Sequence, residues 1–518
     1  MATPNGVIYM RDFSGGLNLT SQQQNLNENE TPDCLNVDFG LRGGFVLRGG
    51  FQSQAYDSLL QGATFLCPSY FANDVMLLAA TDGSLLEWDG STLTDTTEDL
   101  SDTSDVIRAT SFNSKVYITN GRSSGSIISQ SWDGSTLTTL GSTFNDDYTL
   151  PDGGDMPKAR MVANHNGYLW VADTVESGVR YPHRVRFSHL QQPEDWATDD
   201  YFDVDPGDDG DPVTALVPFK DQLLVFKARS VHVVYGYSRD DFFVERLTGA
   251  SGINCCRNVA YNSGVAYWIS GDGQIMAYNG SGVVPLTNNL RWWVESGKIA
   301  HSGSHRVVWA DGRLFMSLVA GPAEDVDWWL FVYDPSSRSL TRYDKQITDM
   351  WHWESMSAEH SLYSVHLSDN NLYRYDREYS VDIINDGVDD VVTRIDGYYR
   401  TSWITGGETA SKKRWQRPRV TAAAETSTTL DMDVFHDFYE NNVRKSSTIP
   451  IVTDEDSLWG TMDWGDPWAA DFDDTYFFAR QPSAGSSYAV QFRFSSEDNP
   501  GRWWVDSIAL PFRRKQLR

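Results

Sequence analysis

Carboxylates are the most abundant reactive groups in this chain, and residues 198–212, TDDYFDVDPGDDGDP, hold their densest run: Asp199, Asp200, Asp203, Asp205, Asp208, Asp209 and Asp211. Oxygen donors so placed could ligate Ca²⁺. An EF-hand loop, however, needs DxDxDG with a Glu at its twelfth position, and that order is absent. A solvated acidic loop without a metal is expected. The nearest pair among the ten histidines, His301 and His305 in HSGSH, falls in a Ser/Gly turn where helical i, i+4 ligation does not arise. Cys34, Cys67, Cys255 and Cys256 contain no CxxC, and the vicinal pair could close only a strained ring, so reduced, buried thiols are expected. No GxSxG elbow, HExxH, Walker loop or strand-to-helix GxGxxG occurs. Among 71 Asp and Glu a glycosidase pair could be drawn almost anywhere, so none is singled out. These residues nominate no catalytic, cofactor-binding or metal-ligating position, and the chain reads as a non-enzyme.

The elements that carry these residues are set by a repeat. WDGSTLT at residues 88–94 returns letter for letter at 132–138, 44 residues on. Weaker copies, with any aromatic in the Trp place, carry Phe187, Tyr235, Tyr278, Tyr333 and Tyr375, at further steps of 55, 48, 43, 55 and 42. Each copy reads as an apolar run, the aromatic, a short Asn/Asp/Gly/Ser turn and a Thr/Leu/Val run, which is a β-hairpin. The Asp, Gly and Thr of WDGSTLT also occur in the Asp-box turns of sialidase propellers, but any tight hairpin needs them, so they read as turn chemistry. A second signal with the same pitch, a polar turn followed by an apolar run, lies near Asn73, Asn113, Asn166, Asp221, Asn262, Asp311 and His360. Four strands per roughly 45 residues is the pattern of a propeller blade.

The expected fold is therefore all-β: a β-propeller of about seven four-stranded blades over residues 56–378. An extended arm, 1–55, precedes it, and its run 44–51 is the candidate ring-closing strand. Residues 379–518 form a C-terminal antiparallel β-sandwich-like domain, in which RVTAAAE, TTLDMDVFHDF, YFFARQ, YAVQFRFS and WWVDSIALPF alternate with period two. Trp459, Trp464 and Trp468 sit in a Gly/Asp/Pro-rich loop, as interface anchors if buried or a sugar-stacking face if exposed.

A net charge of −29 and a pI near 4.6 exclude an ordinary nucleic-acid binder, which needs a Lys/Arg surplus, but suit a surface that DNA slides past without sticking. The basic end, Arg513, Arg514, Lys515 and Arg518, is expected to dock an acidic neighbour. No run of 18 uncharged apolar residues occurs, so no membrane-spanning segment is expected. The start, MATPNGVIYMRDFSGG, lacks the basic and apolar regions of a signal peptide, so the expectation is a chain made and kept in the cytoplasm or leaving by a route other than secretion.

Near the start stand FxGGLN, a polar spacer, PDxLNVDF and GxxxRxG. They are carried by Phe13, Gly15, Gly16, Leu17 and Asn18, by Pro32, Asp33, Leu35, Asn36, Val37, Asp38 and Phe39, and by Gly44, Arg48 and Gly50. This order resembles the N-terminus of the tail tubular protein B, or tail nozzle, family of short-tailed bacteriophages. RVRFSHLQQPEDW at 184–196 is similar to a blade segment of that family. KKRWQRPRV at 412–420, LWGTMDWGDPW at 458–468 and PGRWWVDSIALPFRRK are similar to its end domain. The resemblance implies a structural protein of the virion tail, assembled in the host cytoplasm as a homo-oligomeric ring, by analogy a hexamer, on portal-adaptor (head–tail connector) proteins. It implies that the ring holds the genome back and then conducts double-stranded DNA through non-specific passage during ejection, with tail fibres or spikes as further partners. Nozzle proteins of this kind are often longer, so a leaner nozzle or a related ring component also fits. The competing class is a carbohydrate-active or glycan-binding propeller, a phage or bacterial glycosidase or lectin, with the central pocket as its site.

Overall fold

The computed structural model describes residues 5–515 except 41–42, 71–74, 102–106, 121–126, 142–143, 145, 147–154, 208–210, 255, 263, 302–303, 355–359, 452–476, 481–482 and 498–500. Blade 1 is the antiparallel sheet Thr64–Tyr70, Val75–Ala79, Ser84–Trp88 and Leu93–Asp99. Blades 2 to 6 repeat that order over residues 108–140, 158–203, 213–246, 259–287 and 306–343. Blade 7 takes Ile347–Glu354, His360–His366 and Asn371–Asp376 from its own stretch and its fourth strand, Gly50–Tyr56, from the N-terminal part.

Each blade is apolar on both faces because it is sandwiched between two others. In Val75–Ala79, Leu77 and Ala79 pack toward blade 2 while Met76 and Leu78 pack toward blade 7, as the two-residue alternation of a strand dictates. Seven such apolar clusters join successive blades, and the one holding Trp88, Trp353 and Tyr363 returns from blade 7 to blade 1. The architecture is a closed seven-bladed β-propeller.

The seven repeat aromatics occupy equivalent places. Trp88, Trp132, Phe187, Tyr235 and Tyr278 end the third strands of blades 1 to 5, and Tyr333 and Tyr375 stand one residue before the ends in blades 6 and 7. All but the half-buried Tyr235 are buried. The turn after each aromatic is built by its polar letters. Asp89 Oδ1 accepts from the Ser91 and Thr92 amides at 2.8 and 2.7 Å, and Asp133 Oδ1 accepts from those of Ser135 and Thr136 at 2.9 and 2.8 Å. Asn279 and Asp334 repeat the arrangement. These are Asx turns, and the hydrogen bonds hold the Asp89 and Asp133 carboxyls below the usual range. The earlier turns carry two successive positive-φ residues, Asn113-Ser114, Asn166-Gly167 and Asp311-Gly312, as type I′ hairpins require. The turn at Asn73 lies outside the described residues.

The closing strand differs from the expected run 44–51. That run holds one short strand and the start of another: Phe45–Leu47 pairs with the C-terminal domain, and strand pairing with the propeller begins only at Gly50. Gly50 is required there, since a Cβ would lie 1.9 Å from the Val381 carbonyl oxygen. Beyond residue 378, Val381–Asn385 and Asp390–Arg394 still belong to the sheet of blade 7, Val381–Asn385 beside the closing strand and Asp390–Arg394 at the edge.

The C-terminal domain is two packed antiparallel sheets. One is centred on Trp503–Arg514, which pairs with Asn5–Met10 and Phe45–Leu47 along one side and with Lys413–Trp415 and Arg419–Ala424 along the other. The second runs Asp33–Leu35, Gly397–Arg400, Val490–Ser496, Thr428–His436 and Lys445–Ile451. The N-terminal stretch is thus woven into both sheets. A single apolar cluster holds Phe13, Phe45, Tyr399, Phe494 and Trp503 together with Leu314, Phe331 and Leu340 of blade 6, so the domain is welded to the propeller. No helix among the described residues is long and apolar enough to cross a membrane.

Candidate functional site

The N-terminal motif residues gather at the joint between the two domains. Phe13 is fully buried edge-on to Phe45 at 5.1 Å and Tyr399 at 5.5 Å. Gly16 has a φ of +63° and lies so close to blade 6 that a Cβ would stand 2.7 Å from the Leu340 nitrogen. Asn36, at a φ of +56°, accepts from Arg48 Nε at 2.9 Å and from the Asp344 amide at 3.0 Å, and donates to the Asp396 carbonyl at 2.7 Å. Asp38 accepts from Arg313 at 2.8 Å and from the Tyr343 hydroxyl at 2.5 Å.

Arg48 is fully buried, and all five of its N–H donors are used: on Asn36, on the Gly49 carbonyl, twice on Asp382 and once on Asp344, at 2.7–2.9 Å. Burial opposes the Arg48 charge, but Asp382 and Asp344 raise its pKa above the ordinary value regardless. A buried guanidinium with every donor matched fixes one relative position of the parts it joins. The motif makes a rigid joint.

The second resembling segment pins blade to blade. Glu194 accepts from Lys115 Nζ at 2.7 Å and from the Tyr117 hydroxyl at 3.0 Å, both in blade 2, and Trp196 is buried with its Nε1 donating to the Pro193 carbonyl at 2.9 Å. Arg184 and Arg186 reach Glu176 at 3.1 and 2.7 Å.

The acidic loop is less solvated than its composition implies. Asp200 is 3% exposed against Arg239, Asp203 holds Arg184 through two bonds of 3.0 and 3.1 Å, and Asp211 accepts from the Ala228 and Arg229 amides at 2.9 and 3.1 Å. Arginines of blades 3 and 4, distant in sequence, draw these carboxylates in. Asp208 and Asp209 lie outside the described residues, as do Cys255, Trp459, Trp464, Trp468 and Arg518. Cys34 is buried and Cys256 half-buried, and burial pushes the Cys34 thiol up to about 12. His301 and His305 face one crevice of about 10 Å³, room for a single water. Among the described residues no group of three or more His, Cys, Asp or Glu is placed to hold a metal.

Two residues of the basic end stand in a sheet. Arg513 and Arg514 belong to the strand Trp503–Arg514, where Arg513 lies directly opposite Arg414 on one side and Asn5 on the other. The same outer sheet face presents Val7 opposite Pro511 and Tyr9 opposite Ala509, with Arg419 across from Ala509 on the other side. Val7 is 47% and Tyr9 59% exposed, and Lys412, Arg414, Arg417, Arg419 and Arg513 are exposed around them. Among the described residues none of these five cations has an ion-pair partner, and like charges directly opposite repel. The face is an apolar strip bordered by cations, on a strand, Asn5–Met10, that is paired on one side only among the described residues.

A second open edge carries the opposite sign. Asp390–Arg394 is the outermost strand of blade 7 and is exposed throughout, with Val388 85% and Val392 61% exposed. The turn before it is Asp386 to Asp389, where Asp386 Oδ1 accepts from the Val388 and Asp389 amides at 2.9 and 3.0 Å. Its carboxylates Asp386, Asp389 and Asp390 face solvent. Edges of this kind pair with other chains unless covered.

On the propeller axis the inner strands of all seven blades enclose a cavity of about 240 Å³. A DNA duplex, whose major groove alone is about 12 Å wide, cannot thread it.

No family model matches the chain, and no curated protein matches it. Among solved structures the chain is similar to the computationally designed Ika8 protein, with 12% identity, TM-score 0.37, and 63% of this chain and 100% of that one covered. It is similar to BamB from Moraxella catarrhalis, with 11% identity, TM-score 0.38, and 67% and 99% covered. It is also similar to a catalytically inactive virginiamycin B lyase from Staphylococcus aureus with quinupristin, with 11% identity, TM-score 0.38, and 63% and 98% covered. The assignment of the fold rests on the sheet topology of the chain itself.

Proposed function

We propose that this protein is a structural ring subunit of a bacteriophage tail, a nozzle or tail tubular component that holds back the genome and then conducts it during ejection. The reading is supported by one observation above the others. A rigid two-domain body carries, on separate open strand edges, an arginine-bordered Val/Tyr face and a projecting Asp/Val hairpin. Surfaces of opposite charge at different places on one chain make a heterologous contact, which closes into a ring when the rotation between copies is right and otherwise grows into a filament. The N-terminal motif supports it by fixing the angle between those two surfaces. A net charge of −29 supports the conducting role, because a wall of the genome's own sign does not hold DNA. As the axial cavity is too narrow for a duplex, passage runs between subunits, through the lumen of the ring.

The test is to mix the purified protein with portal-adaptor complexes and image the product. A closed ring below the adaptor, six copies by the family analogy, with an acidic lumen, is the expected result. Absence of co-assembly, together with sugar release from host polysaccharide that is lost on substituting a carboxylate near the axis, would replace this reading with the glycan-active one.

A further inference from the structure

Arg48 and Arg313 are both buried at the domain joint, and they differ in one donor. Arg48 uses all five of its N–H groups. Arg313 opens the second strand of blade 6, Arg313–Val319, and its side chain is 3% exposed. Its Nη1 donates to Asp38 at 2.8 Å and to the Tyr343 hydroxyl at 3.0 Å, and its Nη2 donates to Asp311 and to the Tyr375 hydroxyl, both at 2.9 Å. The fifth donor, Nε, is buried and meets no acceptor among the described residues. A guanidinium N–H shut away from solvent without a bond costs free energy, so native structures supply nearly every such group with a partner, either protein or water.

Arg313 lines a cavity of about 20 Å³ where three parts of the chain meet. Asp38 comes to its wall from the N-terminal stretch, Val332, Asp334 and Thr341 from blade 6, and Arg377 from just beyond blade 7. A cavity of that size admits one water, which needs two to four polar partners. Two arginines and two aspartates stand in the wall, so their formal charges cancel and a neutral guest is favoured over an ion. Asp38 has room for a further bond, because Oδ2 takes one donor from Arg313 and Oδ1 takes one from Tyr343, and a carboxylate oxygen accepts two.

We propose that this cavity holds one structural water, which accepts from Arg313 Nε and donates to Asp38 and Asp334. The water gives Arg313 its fifth bond, as Arg48 has by protein groups alone, and ties the N-terminal motif to blade 6 a second time beside the direct Asp38–Arg313 pair. This site goes beyond the tail role and stands whether or not the chain forms a ring.

Two measurements on the full chain test it together: crystals that show ordered solvent, one of them soaked in bromide, and oxygen-17 magnetic relaxation dispersion, which counts long-lived internal waters in solution. A solvent peak within hydrogen-bond distance of Arg313 Nε and Asp38, with no anomalous signal from bromide, is expected. Val332→Ile adds a methylene to the wall and should remove one water from the dispersion count while the Asp38–Arg313 pair stays in place. The proposal is overturned by an empty cavity in the parent crystal, by a bromide peak inside it, or by a Val332→Ile protein that folds and keeps the parent's water count. If Val332→Ile does not fold, the parent crystal decides alone.

Discussion

Replacing Arg48 by Met keeps length and apolar bulk at the domain joint and removes only the charge and its donors. Asp382, 3% exposed, then retains Lys345 Nζ at 2.7 Å and the Phe51 amide at 2.8 Å but loses both guanidinium bonds, while Asn36, Gly49 and Asp344 each lose a donor. Removing one partner of a buried ion pair costs about 3–5 kcal/mol, and the surviving Lys345 puts this case near the lower figure. Against a typical domain stability of about 5–15 kcal/mol that is a large loss.

The pH dependence follows with a definite sign. Burial on its own would raise the Asp382 carboxyl, but Arg48 and Lys345 hold it far below the usual carboxylate range. A depressed folded pKa contributes stability above the unfolded value of about 3.9, and that contribution fades as pH falls through it toward the folded value. The deficit of Arg48→Met should therefore be greatest near neutral pH and shrink below pH ~4 as the isolated carboxylate takes up a proton. Urea unfolding followed by tryptophan fluorescence at several pH values measures both, and Arg48→Met/Asp382→Asn should cost less than the sum of its parts. A neutral-pH deficit under about 1 kcal/mol, or one independent of pH, would refute the reasoning.

Other outcomes follow from the same geometry. Gly50→Ala drives a Cβ into the Val381 carbonyl and should detach the closing strand, read as a fall in melting temperature and faster proteolysis near residues 50–56. Asp89→Ala and Asp133→Ala remove the same pair of turn bonds from identical heptapeptides and should cost similar amounts, about 1 kcal/mol each by thermal melting; a large disparity would contradict their equivalence. Burial lowers His305 to about 4, so the unfolded chain takes the proton first and stability should decline between pH ~6.5 and ~4. His305→Gln should flatten that decline, and an unchanged slope would exclude His305 as its source.

The propeller was legible because its signals are local. The aromatic, the Asp or Asn that caps the turn and the Gly with positive φ lie within four residues, so Trp88-Asp89-Gly90 and its copies declare the turn without reference to anything remote. The blade count followed from their pitch. The closing strand starts later than the sequence suggests because GFVLRGGF holds one whole short strand and the start of another, and the partner that separates them, Asn371–Asp376, is some three hundred positions away. The same distance hid the joint. The motif's residues were identified as a group, but nothing near Arg48 announces Asp344 or Asp382. In the acidic loop the carboxylates were visible and their arginines were not. The basic face is marked in the sequence: Lys412, Arg414 and Arg419 alternate with the buried Lys413, Trp415 and Val420, which is period two with the cations outward.

The account turns on copies meeting through the arginine-bordered face and the acidic hairpin, and an inter-subunit disulfide tests that most directly. One chain carrying Val7→Cys and another carrying Val392→Cys are mixed, assembled on portal-adaptor complexes and oxidised. A covalent dimer of the two 58.3 kDa chains should form in the assembly, and its yield should collapse when Arg414 and Arg513 are both changed to Glu. An assembled ring that gives no such dimer, or gives it equally with the charges reversed, would contradict the account.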